Sequence, residues 1–191
     1  MDDLFTAAMG NKMKPLAERM RPHSLKDFIG QKHLVSEGSL LSRAIATDKL
    51  GSCIFFGPPG CGKTTLATII AESTRGAYSK MNAVSSGVAD AKKLIEEARD
   101  RLRMYGKRTY LILDECHRWN KAQSDCVLSA IEDGSIIFIG STTENPYVSM
   151  TSAIVSRCRI FELKPLSDDD VREGLSAVVS VKLTEAQFEG Q

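Results

Sequence analysis

The stretch CIFFGPPGCGKTTLA at residues 53–67 decides the fold. Its first four residues, Cys53 to Phe56, are apolar and read as a buried strand. A Gly/Pro cluster at 57–62 ends that strand. From Thr64 to Ser73 the apolar positions Leu66, Ile69 and Ile70 fall at helical spacing. Between strand and helix, Gly57 to Thr64 fits the pattern G-x-x-x-x-G-K-[ST] in full. Glycines at these positions let the loop turn its backbone N–H groups inward around an anion, and the helix that follows adds its N-terminal dipole. The pattern marks Gly57, Pro58, Pro59, Gly60, Cys61, Gly62, Lys63 and Thr64 as a phosphate cradle for ATP, and Thr65, next along, is counted with the nucleotide-binding residues. Lys63 would reach the β- and γ-phosphates, and Thr64 would offer its hydroxyl to Mg²⁺.

Outward from this centre, strand and helix patterns alternate. Residues 39–48 carry Leu40, Leu41, Ala44 and Ile45 on one helical face. Residues 77–82 read as a second strand, and 88–104 as a long amphipathic helix. Apolar runs at 110–113 and 136–139 read as strands covered on both faces, with a helix at 122–131 between them. A shorter strand spans 159–163. After Pro165 a new helix begins, with Ser167 as its N-cap and Asp168, Asp169 and Asp170 in its first turn. This order predicts an α/β fold with a five-stranded parallel sheet between helices. The expected division is an N-terminal arm at 1–35, a core at 36–164 and the start of a further helical unit at 165–191.

The chain of 191 residues is 42% hydrophobic and 26% charged, which suits one packed domain and excludes a disordered or collagen-like chain. The net charge of +1 makes no global case for nucleic acid. No apolar run approaches the roughly 18–20 residues of a membrane span. Five cysteines, Cys53, Cys61, Cys116, Cys126 and Cys158, have no metal-like spacing and suit free thiols in a reducing compartment.

A second motif completes the chemistry. The apolar run Tyr110 to Leu113 leads into Asp114-Glu115. Acidic residues at the carboxyl end of a buried strand stand at the ligand edge of an open sheet. Asp114 is placed to hold Mg²⁺, and Glu115 to polarise an attacking water.

Together, GPPGCGKTTLA and LILDECHRWNKAQSD resemble an AAA+ ATPase of the clamp-loader group. GSTTENP at 140–146 and Ser156-Arg157-Cys158 narrow the likeness to the replication-associated recombination protein A (MgsA) family, bacterial relatives of the Werner-helicase-interacting ATPase. The resemblance runs from about Pro15 to about Val171. It implies the large subdomain of a P-loop AAA+ module, an adenine-contacting segment at Arg21, Pro22, Ile29, Gly30 and Gln31, and a helical lid beginning after Lys164. It further implies Thr143, or in competition Asn145, as the sensor of the γ-phosphate. Arg157 would be an arginine finger acting on a neighbouring subunit. Cys116, Trp119 and Ser124 depart from the family pattern as packing changes. The family continues into more lid and an oligomerisation region, so this chain is expected to lack the sensor-2 arginine and to bind nucleotide without efficient turnover.

By the same resemblance the activity is DNA-dependent ATP hydrolysis in replication-fork maintenance, recombination and repair, in the cytoplasm at the nucleoid. The partners implied are forked or single-stranded DNA, other copies of the chain, and single-strand-binding protein or a sliding clamp. The alternatives are a clamp-loader or Holliday-junction-motor subunit, or a nucleotide-binding scaffold. Asp3-Leu4-Phe5 faintly resembles the tail of a clamp-binding peptide. Arg99, Arg101, Arg103, Lys107 and Arg108 form a basic stretch able to touch DNA phosphates, but Glu96, Glu97 and Asp100 interrupt it and favour a solvated helix face.

Overall fold

A computed structural model describes residues 19–174. Its elements run α1 (Lys32–Val35), α2 (Leu40–Ala46), β1 (Cys53–Phe56), α3 (Lys63–Ser73), β2 (Ala77–Asn82), α4 (Val88–Tyr105), β3 (Thr109–Asp114), a 3₁₀ turn (Cys116–Arg118), α5 (Lys121–Glu132), β4 (Ile136–Thr142), α6 (Pro146–Ser149), α7 (Ser152–Val155) and β5 (Arg159–Glu162). A last helix, α8, begins at 168 and is described as far as 174. The five strands form one parallel sheet in the order β2-β3-β4-β1-β5.

The two-residue period of the strands explains the layering. Cys53, Phe55, Tyr110, Ile112, Ile137 and Ile139 point to one face, where they pack on Leu66, Ile69 and Ile70 of α3. Ile54, Leu111, Leu113, Ile136 and Phe138 point to the other, against Ala91, Ile95 and Ala98 of α4 and Val127 and Ala130 of α5. Both faces of β3 and β4 are therefore covered, which is why their sequences read as unbroken apolar runs. Strand β2 lies at an edge, and there the burial alternates along the strand.

Local signals set the ends. Ser39 caps α2, its Oγ accepting from Ser42 N at 3.1 Å. Asn120 and Gln123 cap α5 reciprocally, side chain to backbone, at 2.9 and 3.0 Å. Ser167 and Asp170 form the same reciprocal pair ahead of α8, at 3.2 and 2.9 Å.

The five expected strands and the parallel sheet are all present. Strand β4 runs three residues past Ile139, because Gly140, Ser141 and Thr142 pair with Ile54, Phe55 and Phe56 of β1. Apolar patterning cannot see that extension. The N-terminal arm expected up to residue 35 contains α1, which is entered through Gln31 in the left-handed region (φ 51°). The 3₁₀ turn, α6 and α7 have only three or four residues each, too short for any periodic signal. Cys116, Trp119 and Ser124 are all buried, in keeping with packing positions. Asp3-Leu4-Phe5 and the tail beyond residue 174 lie outside the described residues.

Candidate nucleotide site

The sheet order makes β3, β4 and β1 adjacent, so the loops leaving their carboxyl ends share one edge. That edge carries the phosphate loop after β1, Asp114-Glu115 at the end of β3, and Ser141 to Asn145 at the end of β4. The loop after β1 turns at Gly57, where any side chain would strike the carbonyl of Leu163. It enters α3 at Gly62 in the left-handed region (φ 95°), where a Cβ would come within 2.8 Å of the Phe28 ring. Both glycines are therefore required by the close approach of their neighbours.

Lys63 is buried, 8% exposed, and its ammonium donates to Gly57 O at 2.9 Å and Pro58 O at 2.7 Å. It thus hangs across the loop's own carbonyls, inside the cradle. Thr64 Oγ1 donates to Asp114 Oδ1 at 3.0 Å. Ser141 Oγ donates to the same carboxylate oxygen. The donors at this point are all hard oxygens, a hydroxyl pair and a carboxylate. Mg²⁺ is held by one or two such groups and completes its shell with water and phosphate oxygens, so the residues fit that ion.

Glu115 has left-handed backbone angles (φ 53°, ψ 43°), an unusual conformation for a residue with a side chain. Its carboxylate is about one-third exposed. Its Oε2 lies 3.5 Å from Nδ1 of His117, a side chain only 7% exposed. The same Nδ1 lies 2.8 Å from Thr142 Oγ1. The other ring nitrogen, Nε2, is 3.6 Å from Glu144 Oε1.

Among the sensor candidates, Thr143 and Asn145 are both exposed just beyond β4. Asn145 Oδ1 accepts from Tyr147 N at 3.0 Å and caps α6. The Thr143 hydroxyl has no partner among the described residues.

Arg21, Pro22 and Ile29 line a cavity of about 460 Å³ together with Gly60, Cys61 and Thr65. That volume lies within the range of about 300–1,000 Å³ usual for small-molecule sites. Gly30 and Gln31 do not line it. Gln31 instead clamps the chain beyond β5, accepting from Lys164 N at 2.9 Å and donating to Lys164 O at 2.7 Å. Gly30 lies so close to Leu166 that a Cβ would stand 2.6 Å from its Cδ2.

Arg157 is remote from this edge. It precedes β5, whose first residue pairs with Cys53 at the start of β1, whereas the phosphate loop follows the end of β1. The four residues of β1 put roughly 13 Å of strand between the two edges. Arg157 is partly exposed, pairs with Glu132, and donates to Ala153 O at 2.9 Å.

Sequence reasoning missed Ser141, His117, Thr142 and Glu144 as members of the site. The available signal was their position: polar residues at the carboxyl end of a buried strand, or two residues beyond the acidic pair.

This sheet order, with a phosphate loop after β1 and an acidic pair closing β3, defines a P-loop NTPase of the AAA+ class. The family model described as "Holliday junction DNA helicase RuvB P-loop domain" matches residues 20–154, more than two thirds of the chain, and the chain belongs to that family. Replication-associated recombination protein A of Escherichia coli K12 is 46% identical over 182 residues, covering 95% of this chain and 40% of that protein. The ATPase WRNIP1 of Dictyostelium discoideum is 44% identical, covering 87% of this chain and 19% of that protein. The solved Holliday junction branch migration motor RuvB of Thermotoga maritima aligns with a TM-score of 0.70 at 30% identity, over 85% of this chain and 55% of the other. The chain spans about two fifths of the length of its bacterial relatives.

Proposed function

We propose that the chain binds Mg-ATP at the β1–β3–β4 edge and hydrolyses it as the ATPase region of a protein acting on DNA in replication-fork maintenance, recombination and repair. The observation that carries the reading is the convergence of Lys63, Thr64, Asp114 and Glu115 on one loop edge. The loop N–H groups and Lys63 hold the phosphates, Lys63 exchanging its two carbonyl partners for phosphate oxygens. Thr64 and Asp114 hold Mg²⁺, which when bound neutralises charge on the phosphate oxygens. Glu115 accepts a proton from the water that attacks the γ-phosphorus, and Thr143 offers its free hydroxyl to the γ-phosphate. The cavity at Arg21, Pro22 and Ile29 takes the adenine. Gln31 and Gly30 act behind it, tying that wall to the start of the lid.

Arg157 stands too far from its own phosphate loop to act there and serves the ATP of a neighbouring copy, which requires self-association. A DNA partner is supported by a groove at the opposite edge of the sheet, where Arg75, Lys107 and Arg108 make no ion pair among the described residues. No helix among the described residues is long and apolar enough to cross a membrane, and a cytoplasmic, nucleoid-associated location follows from the DNA role.

The decisive test is steady-state ATP hydrolysis with and without forked DNA, beside a Glu115→Gln control. Slow turnover that forks stimulate and the control abolishes is expected. No hydrolysis under either condition would reduce the chain to a nucleotide-binding scaffold. The description of the matching family supports a second substrate, a four-way junction, and greater stimulation by a junction than by a fork would favour it.

A further inference from the structure

We propose that His117 is a positioning residue for hydrolysis, one imidazole that fixes the Glu115 carboxylate relative to the end of β4. The inference rests on the roles assigned above to Glu115 and Thr143. It adds a residue to which neither the phosphate-loop pattern nor the acidic pair gives a role.

The ring is held from both sides. It belongs to the 3₁₀ turn Cys116–Arg118, and its neighbours Cys116 and Trp119 are buried in the core at 1% and 7% exposure. The turn is thus anchored by apolar packing and the imidazole has little room to swing. Nδ1 sits 2.8 Å from Thr142 Oγ1 and 3.5 Å from Glu115 Oε2. Nε2 faces Glu144 at 3.6 Å. Thr142 is itself pinned, since its carbonyl accepts from Gly57 N at 3.2 Å and its hydroxyl accepts from Glu144 N at 3.0 Å. A continuous path therefore runs from the first glycine of the phosphate loop through Thr142 and His117 to Glu115.

Glu115 needs such a restraint. Its carboxylate is about one-third exposed, and in the described structure His117 is its one charged or potentially charged partner. Thr143, the sensor candidate, lies between Thr142 and Glu144, both of which face the ring. The imidazole thereby sets two distances at once, that of the carboxylate and that of the sensor hydroxyl from the phosphates. A misplacement of about 1 Å in such a constellation costs on the order of a hundredfold in rate. Among the described residues the proposed nucleotide-binding groups Lys63, Thr64 and Asp114 make no hydrogen bond or ion pair with the ring, so binding should not depend on it.

The test is single-turnover ATP hydrolysis by this chain in excess over nucleotide, with the dissociation constant measured separately by calorimetry. Five proteins are compared: wild type, His117→Ala, His117→Asn, Glu115→Gln and the double variant that combines His117→Ala with Glu115→Gln. His117→Ala should slow hydrolysis by about tenfold to a hundredfold and leave the dissociation constant within about twofold, the signature of an interaction that matters after binding. His117→Asn, which keeps a polar atom near the Nδ1 position, should recover much of the loss. Adding His117→Ala to Glu115→Gln should slow hydrolysis by clearly less than His117→Ala does alone, because the carboxylate is already gone and only the sensor hydroxyl is left to position. Wild-type turnover by His117→Ala overturns the proposal. So does a parallel loss of nucleotide affinity, or Asn rescuing no better than Ala, since either would mark the ring as structural support. Should Glu115→Gln itself hydrolyse at the wild-type rate, the general-base reading fails and this one with it. A dead Glu115→Gln beside a fully active His117→Ala sinks only the role of His117.

Discussion

Thr64 Oγ1 and Asp114 Oδ1 meet at 3.0 Å across a sequence separation of 50 residues. The first belongs to the first turn of α3, which follows β1, and the second to the end of β3, and these two strands are not neighbours. Strand β4 lies between β1 and β3, and its Ser141 donates to the same carboxylate. Side chains that follow or end three strands thus converge on one oxygen, and the pair proposed to hold the metal is formed by the sheet rather than by either motif.

That relationship makes metal dependence a sensitive readout. Thr64→Ala and Asp114→Asn should each bind ATP more weakly in the presence of Mg²⁺ while losing little in its absence. Lys63→Ala should weaken binding under both conditions. Hydrogen bonds to charged groups are worth about 1.5–3 kcal/mol, or roughly tenfold to a hundredfold in dissociation constant. Titration calorimetry with and without EDTA separates the cases. Equal losses for Thr64→Ala under both conditions would remove it from the metal site.

Glu115→Gln should retain ATP affinity and hydrolyse about 10²–10⁴-fold more slowly, the usual loss when a general base is removed. Gln keeps the volume and the contact with His117 but cannot take a proton at neutral pH. Normal turnover would make Glu115 a bystander.

Arg157→Ala should leave ATP binding intact and abolish most turnover, since loss of an arginine finger costs about 10³–10⁵-fold in rate where it acts. Mixing Arg157→Ala with Glu115→Gln should restore part of the activity, because one kind of interface then retains both groups. Failure to recover in mixtures with demonstrated subunit exchange would reassign Arg157 to its pair with Glu132.

The pH dependence of stability has an identifiable contributor in Asp133. Burial raises its pKa, but the hydroxyl and N–H of Ser135 and the Arg99 guanidinium outweigh that and hold the carboxyl below its ordinary value. A carboxylate whose pKa is lowered by folding stabilises the protein above its unfolded pKa of about 3.9. That stability is lost as pH falls through the lowered value. Asp133→Asn should therefore reduce the urea midpoint near neutral pH and converge with wild type under strongly acid conditions. A constant offset at every pH would show that the carboxylate's charge is not what matters.

The fold was legible because its strands declare themselves. A sheet covered on both faces needs runs such as Leu111–Leu113 and Ile136–Ile139, and its phosphate loop has a fixed spelling. The ends were less so. Ser141 and Thr142 are polar yet fully within β4, since near the ligand edge strand pairing continues where apolar burial stops being the selective pressure on the sequence. His117 was illegible for another reason. Its meaning comes from Thr142 and Glu144, which the chain brings to it only after α5 and β4 are in place. The basic stretch at 99–108 also divided in a way that one dimension hides. Arg99 pairs with Asp133, Arg103 with Asp100, and Arg101 donates to Thr109 Oγ1. Lys107 and Arg108 beyond the helix instead join Arg75, which comes from the α3–β2 connection.

That regrouped cluster gives the last prediction. Two adjoining hollows of about 410 and 370 Å³ share Arg75, Gly76 and Lys107. Arg108 and Asp48 line one, and Arg101 and Tyr105 the other. Asp48 is the single acid among these residues, and it accepts from the Tyr110 hydroxyl at 3.3 Å. Tyr105 is 72% exposed beside the cations, an arrangement that suits phosphates on the cations and a base stacked on the ring. Each cation that neutralises a phosphate of single-stranded DNA contributes about 0.7 to the slope of log affinity against log salt. Replacing Arg75, Lys107 and Arg108 together by Ala should therefore flatten that slope by about two units and weaken binding irrespective of sequence. Tyr105→Ala should weaken binding by about 1–3 kcal/mol, the usual worth of one stacked base, and leave the slope unchanged. Fluorescence anisotropy of a labelled oligonucleotide across a salt series measures both quantities. The cluster lies at the sheet edge opposite the phosphate loop, so nucleotide affinity should be the same in all variants. An unaltered slope in the triple variant would place the DNA on some other face.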